Sequence, residues 1–180
     1  MRITRDNCTG LIIDIQERLY PVIAEKENLL ANCVKLTAGL QILNIPIAVT
    51  QQYSKGLGAT VGEISSLFQP FNYFEKNSFS CLDEPLYAEY LTDSGRTNVL
   101  ICGIESHVCV LQTAIDLQET GYYPIVIFDC ISSRQLAEKQ VVLQRFAQEG
   151  IRISTVESIL FELTRFAATS EFRSISKLIK

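Results

Sequence analysis

Four short runs of apolar residues recur along the chain, and each is bounded by turn-forming residues. They are rich in valine and isoleucine and have few polar positions; their sequences are GLIIDI, IPIAVTQ, TNVLICGI and YPIVIFD. Near-continuous apolarity is typical of strands that are covered on both faces, as in a parallel sheet. Two weaker candidates, FNYFEK at residues 71–76 and IRISTV at residues 151–156, bring the expected number of strands to five or six.

Helical patterns separate the apolar runs. The segment ENLLANCVKLTAGLQIL repeats its apolar positions every three or four residues, and Asn44 and Pro46 predict its end. VCVLQTAIDLQET has the same spacing, and Gly121 after it predicts a left-handed helix cap. The alternation of strands and helices with short connections predicts an α/β fold. We expect three layers, α-β-α, around a doubly wound, mostly parallel, Rossmann-like sheet.

The C-terminal segment SEFRSISKLIK also has helical spacing, with apolar residues at Phe172, Ile175, Leu178 and Ile179. A helix of this kind has one apolar face that must be covered. That face could dock on its own domain or on a neighbouring subunit, and we favour its own domain.

Composition and charge narrow the class of protein. A chain of 180 residues that is 47% hydrophobic can bury one large core, so we expect one domain over residues 1–180. Its 16 basic and 20 acidic residues give a formal net charge of −4, which provides no overall positive field for nucleic acid. No apolar run approaches the roughly 20 residues that span a bilayer, and the start MRITRDNCTG lacks the apolar core of a signal peptide. We therefore expect a cytoplasmic protein with no membrane as a partner, and the charge disfavours nucleic acid as a partner.

The spacing of the cysteines and the single histidine argue against a disulfide framework and against a zinc site. The cysteines have no CxxC spacing, which favours reduced thiols over a disulfide framework. They are Cys8, Cys33, Cys81, Cys102, Cys109 and Cys130. With one histidine, His107, and no paired cysteines, a zinc site would need mostly carboxylate ligands. We expect no metal and no other cofactor.

Polar residues follow the predicted strands at their carboxyl ends. Ligands bind at these ends in open parallel sheets, because the loops converge there. In chain order the residues are Asp14, Gln51, Gln52, Lys76, Cys109 and Asp129. Three of them, Asp14, Lys76 and Cys109, form a chemical set of a base, a cation and a nucleophile.

Each member of this set also has a structural alternative. An isolated charge on Asp14 would be costly in an apolar strand, although the side chain could instead cap the next turn. Lys76 could supply the compensating cation or be a solvated loop lysine. Cys109 falls in the predicted first helical turn, where the helix dipole and unpaired amides lower the pKa of a thiol. The alternative for Cys109 is a small buried apolar residue, a role that suits Cys102 better.

The segments around these residues resemble the isochorismatase-like cysteine hydrolase superfamily. The matching segments follow the family's order over nearly the whole chain and are LIIDIQERL, FEKNSFSC, LICGIESHVCVLQTAIDL and VIFDCISSR. The variant GIESHVC, with YSKGLG and VESILFEL, looks most like the isochorismatase domain-containing subgroup. The resemblance implies the family's fold, an Asp-Lys-Cys triad at Asp14, Lys76 and Cys109, and a homo-oligomer.

The resemblance implies further features of the site. One is a cis peptide bond between Ile104 and Glu105, together with an oxyanion hole formed by the backbone amides of Glu105 and Cys109. Nicotinamidases of the superfamily carry an Asp and His metal cluster where this chain has VTQQYSKGLGAT, without either residue type. True isochorismatases lack the nucleophilic cysteine, so Cys109 argues against isochorismate as the substrate.

Four more residues are candidates for the walls of a substrate pocket. Gln16, Tyr53 and Phe79 lie close in sequence to the triad or to strand ends, with ordinary loop or core packing as the alternative. His107 lies two residues before Cys109 and has a suitable pKa for proton transfer. Because adjacent helical positions point in different directions, we expect His107 to face away from the thiol.

The sequence therefore predicts a metal-independent cysteine hydrolase that acts on a small molecule, either an amide or a related acyl compound. Two alternatives stay open. One is a catalytically vestigial domain that serves as an oligomeric interaction module. The other, less expected, is a relative that acts on RNA.

Overall fold

The computed structural model describes residues 2–180 and contains one six-stranded sheet. The strands β1 to β6 span Cys8–Ile13, Ile47–Gln52, Phe74–Lys76, Asn98–Ile104, Tyr123–Ser132 and Arg152–Ser154. Their order across the sheet is β3-β2-β1-β4-β5-β6, and every neighbouring pair is parallel. The predicted fold class is confirmed, and the two weaker candidates are the short edge strands β3 and β6.

Helices cover both faces of this sheet. The helices α1 to α8 span Lys26–Ile42, Ser54–Leu57, Gly62–Ser65, Pro85–Asp93, Leu111–Glu119, Leu136–Glu149, Val156–Thr164 and Ser170–Ile179. Alternate residues of one strand point to opposite faces, so Ile12 packs with α1 and α7 while Leu11 and Ile13 pack with α4, α5 and α6. Two apolar cores therefore sandwich the sheet, which explains why its central runs contain so few polar positions.

The connections place a crevice at the carboxyl ends of β1 and β4. The chain runs outward from β1 to β2 and β3, and then returns to the other side of β1 to form β4. Loops therefore leave β1 and β4 in opposite directions, which opens a crevice where ligands bind in such sheets. The register pairs Ile13 with Gly103, so the segments that follow both residues begin at the same edge.

The fourth apolar run does not end at Asp129, and that predicted strand end is wrong. Strand β5 continues to Ser132 after a shift in register against β4 between Ile101 and Gly103. The carboxylate of Asp129 accepts hydrogen bonds from the amide of Val156 at 3.0 and 3.3 Å, at the start of α7. Asp129 therefore stabilises a helix start instead of facing the crevice.

The amphipathic C-terminal helix docks on its own domain, as expected. Ile175 of α8 is fully buried in the core that α1 and α7 share, and Leu178 and Ile179 pack against it. The rings of Phe161 and Phe172 lie 6.0 Å apart between α7 and α8. Within residues 2–180, no helix combines the length and the apolar character needed to cross a membrane.

Candidate active site

Asp14 directly follows β1 and lies at the centre of the crevice. Its backbone leaves the strand with a φ of 53°, and its side chain is completely buried. The hydroxyl of Thr50, a residue that pairs with Ile13 across β1 and β2, donates a hydrogen bond to its Oδ1 at 2.8 Å. The carboxylate is therefore fixed at the switch point of the sheet.

Lys76 ends β3 and reaches Asp14 across β2. Its Nζ lies 2.7 Å from Oδ2 of Asp14, and both side chains are fully buried. The same ammonium donates to the carbonyl oxygens of Ser78 at 3.1 Å and Phe79 at 3.3 Å, and to the side-chain oxygen of Gln52. A buried ion pair is stable only when its remaining polar atoms are hydrogen-bonded, and these acceptors meet that requirement.

Cys109 follows β4 in a turn of the π type, Ser106–Val110, that comes before α5. The predicted helix thus begins regularly only after the thiol. Its Sγ lies 3.6 Å from Nζ of Lys76, and the Asp14 carboxylate is near enough to raise the pKa of the thiol. The peptide bond between Ile104 and Glu105 is cis, as the resemblance implies.

The charges of the two ionic partners depend on each other. Burial raises the pKa of Asp14, and the ammonium of Lys76 offsets part of that effect. For Lys76, burial opposes the charged form, but Asp14 and the neighbouring thiols raise its pKa above the usual value. The ammonium is therefore retained at neutral pH, and the carboxylate beside it is a stronger proton acceptor than a solvated aspartate.

The prediction that the helix start lowers the pKa of Cys109 is wrong. Burial and the nearby Asp14 carboxylate raise the pKa of this thiol to about 12, against a smaller lowering effect of Lys76. Desolvation in the closed crevice outweighs the dipole of a turn that is not yet a regular helix. The thiol is consequently protonated at neutral pH, and any reaction that uses its thiolate would first require a base.

Gln16 lies beside the site but braces its loops. It is fully buried; its side-chain nitrogen donates to the carbonyl oxygens of Gln52 at 3.1 Å and Gly58 at 2.8 Å. Its side-chain oxygen accepts from the amide of Gln52 at 2.8 Å. These bonds use the polar atoms of the Gln16 side chain to hold the loops after β2. The prediction that Gln16 lines the pocket wall is therefore wrong.

The two aromatic candidates are exposed on either side of Lys76. Tyr53 and Phe79 each have 54% of their surface accessible. The amide of Tyr53 donates to the carbonyl oxygen of Lys76 at 2.8 Å, and the carbonyl oxygen of Phe79 accepts from Nζ of Lys76. The backbone of each aromatic residue is therefore bonded to Lys76, while its ring is exposed to solvent.

His107 faces away from the thiol, as expected. Its Nδ1 lies 2.9 Å from the hydroxyl oxygen of Ser133 in the loop between β5 and α6. Glu105 accepts two hydrogen bonds from Arg134 in the same loop. Glu105, His107 and Arg134 line a pocket of about 170 Å³ on the side of the turn away from the thiol.

Two residues near the site went unnoticed in the sequence. Thr50 is part of an apolar run, and only its register beside Ile13 places its hydroxyl on Asp14. Gly103 has a φ of 132°, and an added Cβ would lie 2.1 Å from the carbonyl oxygen of Ile13. Glycine therefore allows β4 to approach β1 at the crevice. The motif CGIES contained this signal, because a glycine near a strand end often marks close backbone contact.

All six cysteines are free, and all are buried. Cys102, which the sequence predicts to be a small buried apolar residue, lies in mid-strand within the core on the α1 side. In the part of the chain that the structure covers, no three or more histidine, cysteine, aspartate or glutamate residues are grouped to hold a metal ion.

Comparisons with known proteins agree with this architecture. The family model described as "Isochorismatase domain" matches residues 9–158. The "Secreted isochorismatase effector Isc1" of Phytophthora sojae is 38% identical over 174 residues, which cover 94% of this chain and 82% of that protein. "Isochorismatase domain-containing protein 2" of Danio rerio is 33% identical over 178 residues, with 99% and 89% covered.

Solved structures give the same result. A structure described as MAR1 ribonuclease from Caenorhabditis elegans superimposes with a TM-score of 0.93 at 32% identity and covers 99% of this chain and 92% of that one. The YcaC gene product of Escherichia coli, described as an octameric hydrolase of unknown specificity, has a TM-score of 0.93 at 20% identity, with 99% and 89% covered. At that identity the likeness shows the fold alone. Together with the family match, these relatives establish that this chain belongs to the isochorismatase family and is similar to its isochorismatase domain-containing members.

Proposed function

We propose that this protein is a cysteine hydrolase that cleaves a small amide or a related acyl compound without a metal ion. The observation that carries the proposal is that the buried ammonium of Lys76 contacts both Asp14 and Cys109. Lys76 lies 2.7 Å from Asp14 and 3.6 Å from the Cys109 sulfur, although the three residues follow different strands. A nucleophile, a base and a cation within contact distance is the arrangement of an activated-nucleophile site.

The charges of these residues suggest the order of steps. Asp14 takes the proton of the Cys109 thiol as the sulfur attacks the carbonyl carbon, and the ammonium of Lys76 stabilises the negative charge while it moves. The carbon–nitrogen bond then breaks, and the amine leaves with the proton that Asp14 returns. Asp14 next takes a proton from water, which attacks the thioester and releases the acid and the free thiol.

The developing oxyanion needs donors, and we assign that role to the backbone amides of Glu105 and Cys109. Donors of this kind stabilise charge that appears only in the transition state. The rings of Tyr53 and Phe79 at the rim would contact the part of the substrate that does not react. Such a site fits an uncharged acyl group better than a polyanion, because Asp14 already carries a buried negative charge.

The test is turnover of a panel of small amides by purified protein, with isochorismate included because a relative bears that name. We expect Cys109→Ser and Asp14→Asn each to lower kcat by at least about 1000-fold, since nucleophile and base act together. Cys102→Ala is the matched control, because it removes a thiol from the core and should keep wild-type kcat. Wild-type turnover by Cys109→Ser or Asp14→Asn would contradict the proposal.

Hydrolysis of RNA is a second candidate, because the structure at 32% identity is described as a ribonuclease. The net charge of −4 speaks against it, since RNA binding usually relies on a basic surface. The measurement is cleavage of labelled single-stranded RNA at low salt by wild type and by Cys109→Ala. Cleavage by wild type that is lost in the variant would favour RNA over a small amide.

We also propose that the protein forms a homo-oligomer, as the resemblance to the family implies; the YcaC structure, which shares the fold, is described as octameric. Light scattering after size-exclusion chromatography would give the mass of the assembly against 20.2 kDa for one chain. If Cys109→Ala keeps full biological function while interface variants lose it, the interaction-module alternative holds and the hydrolase proposal fails.

A further inference from the structure

The side chain of His107 connects the turn that carries Cys109 to a distant loop. Its Nδ1 lies 2.9 Å from Oγ of Ser133, which follows β5. Ser106, the preceding residue, hydrogen-bonds to the same hydroxyl. Ser133 has a single proton to donate, so these two contacts form one chain, from Ser106 through Ser133 to His107 or in the reverse direction.

A third connection runs beside this chain. Oε1 of Glu105 accepts hydrogen bonds from the amide of Arg134 at 3.1 Å and from its Nε at 3.0 Å. Glu105 and the first two residues of the turn after it are thus bonded to two consecutive residues of the loop. We call these five residues the turn brace; they are Glu105, Ser106, His107, Ser133 and Arg134.

Most of the turn brace is inaccessible to water. Ser106 and Ser133 are fully buried, and Glu105 is 7% exposed. A buried polar group that loses its partner cannot turn to solvent, so breaking one of these bonds costs more than breaking a surface bond. The few hydrogen bonds of the turn brace therefore restrict movement of the turn more strongly than the same number of surface bonds would.

Two backbone hydrogen bonds join the turn to the residue that precedes it. The carbonyl oxygen of Glu105 accepts from the amide of Val108 at 3.2 Å and from that of Val110 at 3.3 Å. Both distances are at or beyond the long end of the usual range, and π turns are rare in proteins. The side-chain bonds of the turn brace therefore add further fixed points to the backbone that carries Cys109.

The loop on the other side of the brace is well anchored. The carbonyl oxygen of Ser133 accepts from the amide of Ala24 at 3.0 Å, and the hydroxyl of Ser132 donates to the carbonyl oxygen of Ala24 at 2.7 Å. These bonds fasten the loop to the segment before α1. The turn is therefore bonded, through Ser133, to a loop that is itself held by the sheet and by the segment before α1.

We propose that His107 is a positioning residue that acts through Ser133 to hold the turn Ser106–Val110, and with it the Cys109 thiol, against Asp14 and Lys76. The inference rests on the proposed function, because it gives the site a supporting residue and no new chemistry. Loss of the imidazole should let the thiol move away from its base without unfolding the protein.

The test compares His107→Leu with His107→Asn. Asparagine keeps a polar group where Nδ1 lies, whereas leucine fills similar space with no hydrogen bond. The probe is iodoacetamide, and peptide mass spectrometry measures the labelling rate at Cys109 and at Cys102 separately. We expect leucine to slow labelling of Cys109 about tenfold and asparagine to stay within about threefold of wild type, as loss of one hydrogen bond predicts.

Cys102 is the internal control, because it is 1% exposed and is labelled faster only if the variant unfolds. Ser133→Ala should slow labelling of Cys109 at least as much as His107→Leu does, because it removes the bonds to both His107 and Ser106, and the double variant should be no slower than Ser133→Ala. On any amide that the protein hydrolyses, kcat should fall with KM unchanged. Failure of the hydrolase proposal would be visible separately: in Asp14→Asn, iodoacetamide would then label Cys109 at the same rate as in wild type. Equal labelling of wild type and His107→Leu, or an asparagine variant as slow as leucine, would overturn the positioning role.

Discussion

Replacing Lys76 with methionine should remove the only cation that touches the Asp14 carboxylate within residues 2–180 and leave that group alone in the core. The two side chains are fully buried and 2.7 Å apart. Breaking such a pair by removing one partner costs about 3–5 kcal/mol, because the remaining charge has no solvent and no counterion. For a chain of this length the midpoint of thermal unfolding should fall by about 6–20 °C.

The loss should also depend on pH in a defined direction. Burial raises the pKa of Asp14 in the folded state, and Lys76 offsets part of that rise, so its removal raises the pKa further. A group with a raised folded pKa gives its full stability below its unfolded pKa and loses it as the pH rises toward the folded value. Lys76→Met should therefore be most stable in acid and lose up to about 1.4 kcal/mol per pH unit toward neutrality.

Urea unfolding at about pH 5 and about pH 7.5 measures this effect, because the difference between wild type and variant should grow with pH. The control is the double variant Lys76→Met with Asp14→Asn, which has no buried charge. It should lose the extra pH dependence and recover part of the stability, although it should remain inactive. A single variant with wild-type stability at both pH values would refute the coupling between Asp14 and Lys76.

Three further results follow from the structure. Gly103→Ala should lower the free energy of unfolding by several kcal/mol and lower the thermal midpoint, because the added Cβ would lie 2.1 Å from the Ile13 carbonyl oxygen. A midpoint equal to that of wild type would be inconsistent with the close approach of β4 to β1. Iodoacetamide should label Cys109 before the other five cysteines, because Cys109 is 6% exposed and the others are less exposed. In Asp14→Asn, the labelling rate of Cys109 should rise as the pH approaches the pKa of its thiol. Labelling of the six cysteines in random order would contradict the greater exposure of Cys109. Ile175→Ala should cost about 2–5 kcal/mol in urea unfolding, since the side chain is fully buried, whereas Lys177→Ala on the same helix should cost little.

Much of the fold was predictable because the signals are local. The central runs are apolar on both faces, and this pattern predicted β1, β2, β4 and β5 and the class of the sheet. The spacing of apolar residues predicted α1, and Asn44, with a φ of 55°, terminates it where the sequence indicated. The end of β5 was not predictable at Asp129, because a polar residue in a strand can stabilise a helix start on another element.

The sequence by itself determined which chemical groups follow the strands: a carboxylate, an amine and a thiol at Asp14, Lys76 and Cys109. Only the tertiary structure decided how they act on each other, because distance and burial depend on residues far apart in the chain. Strand order lets Lys76 reach Asp14 across β2, and closure of the crevice raises the pKa of Cys109 to about 12 where the helix start alone would lower it. Desolvation is a property of the assembled fold, so no local pattern around the thiol could have revealed that it stays protonated at neutral pH.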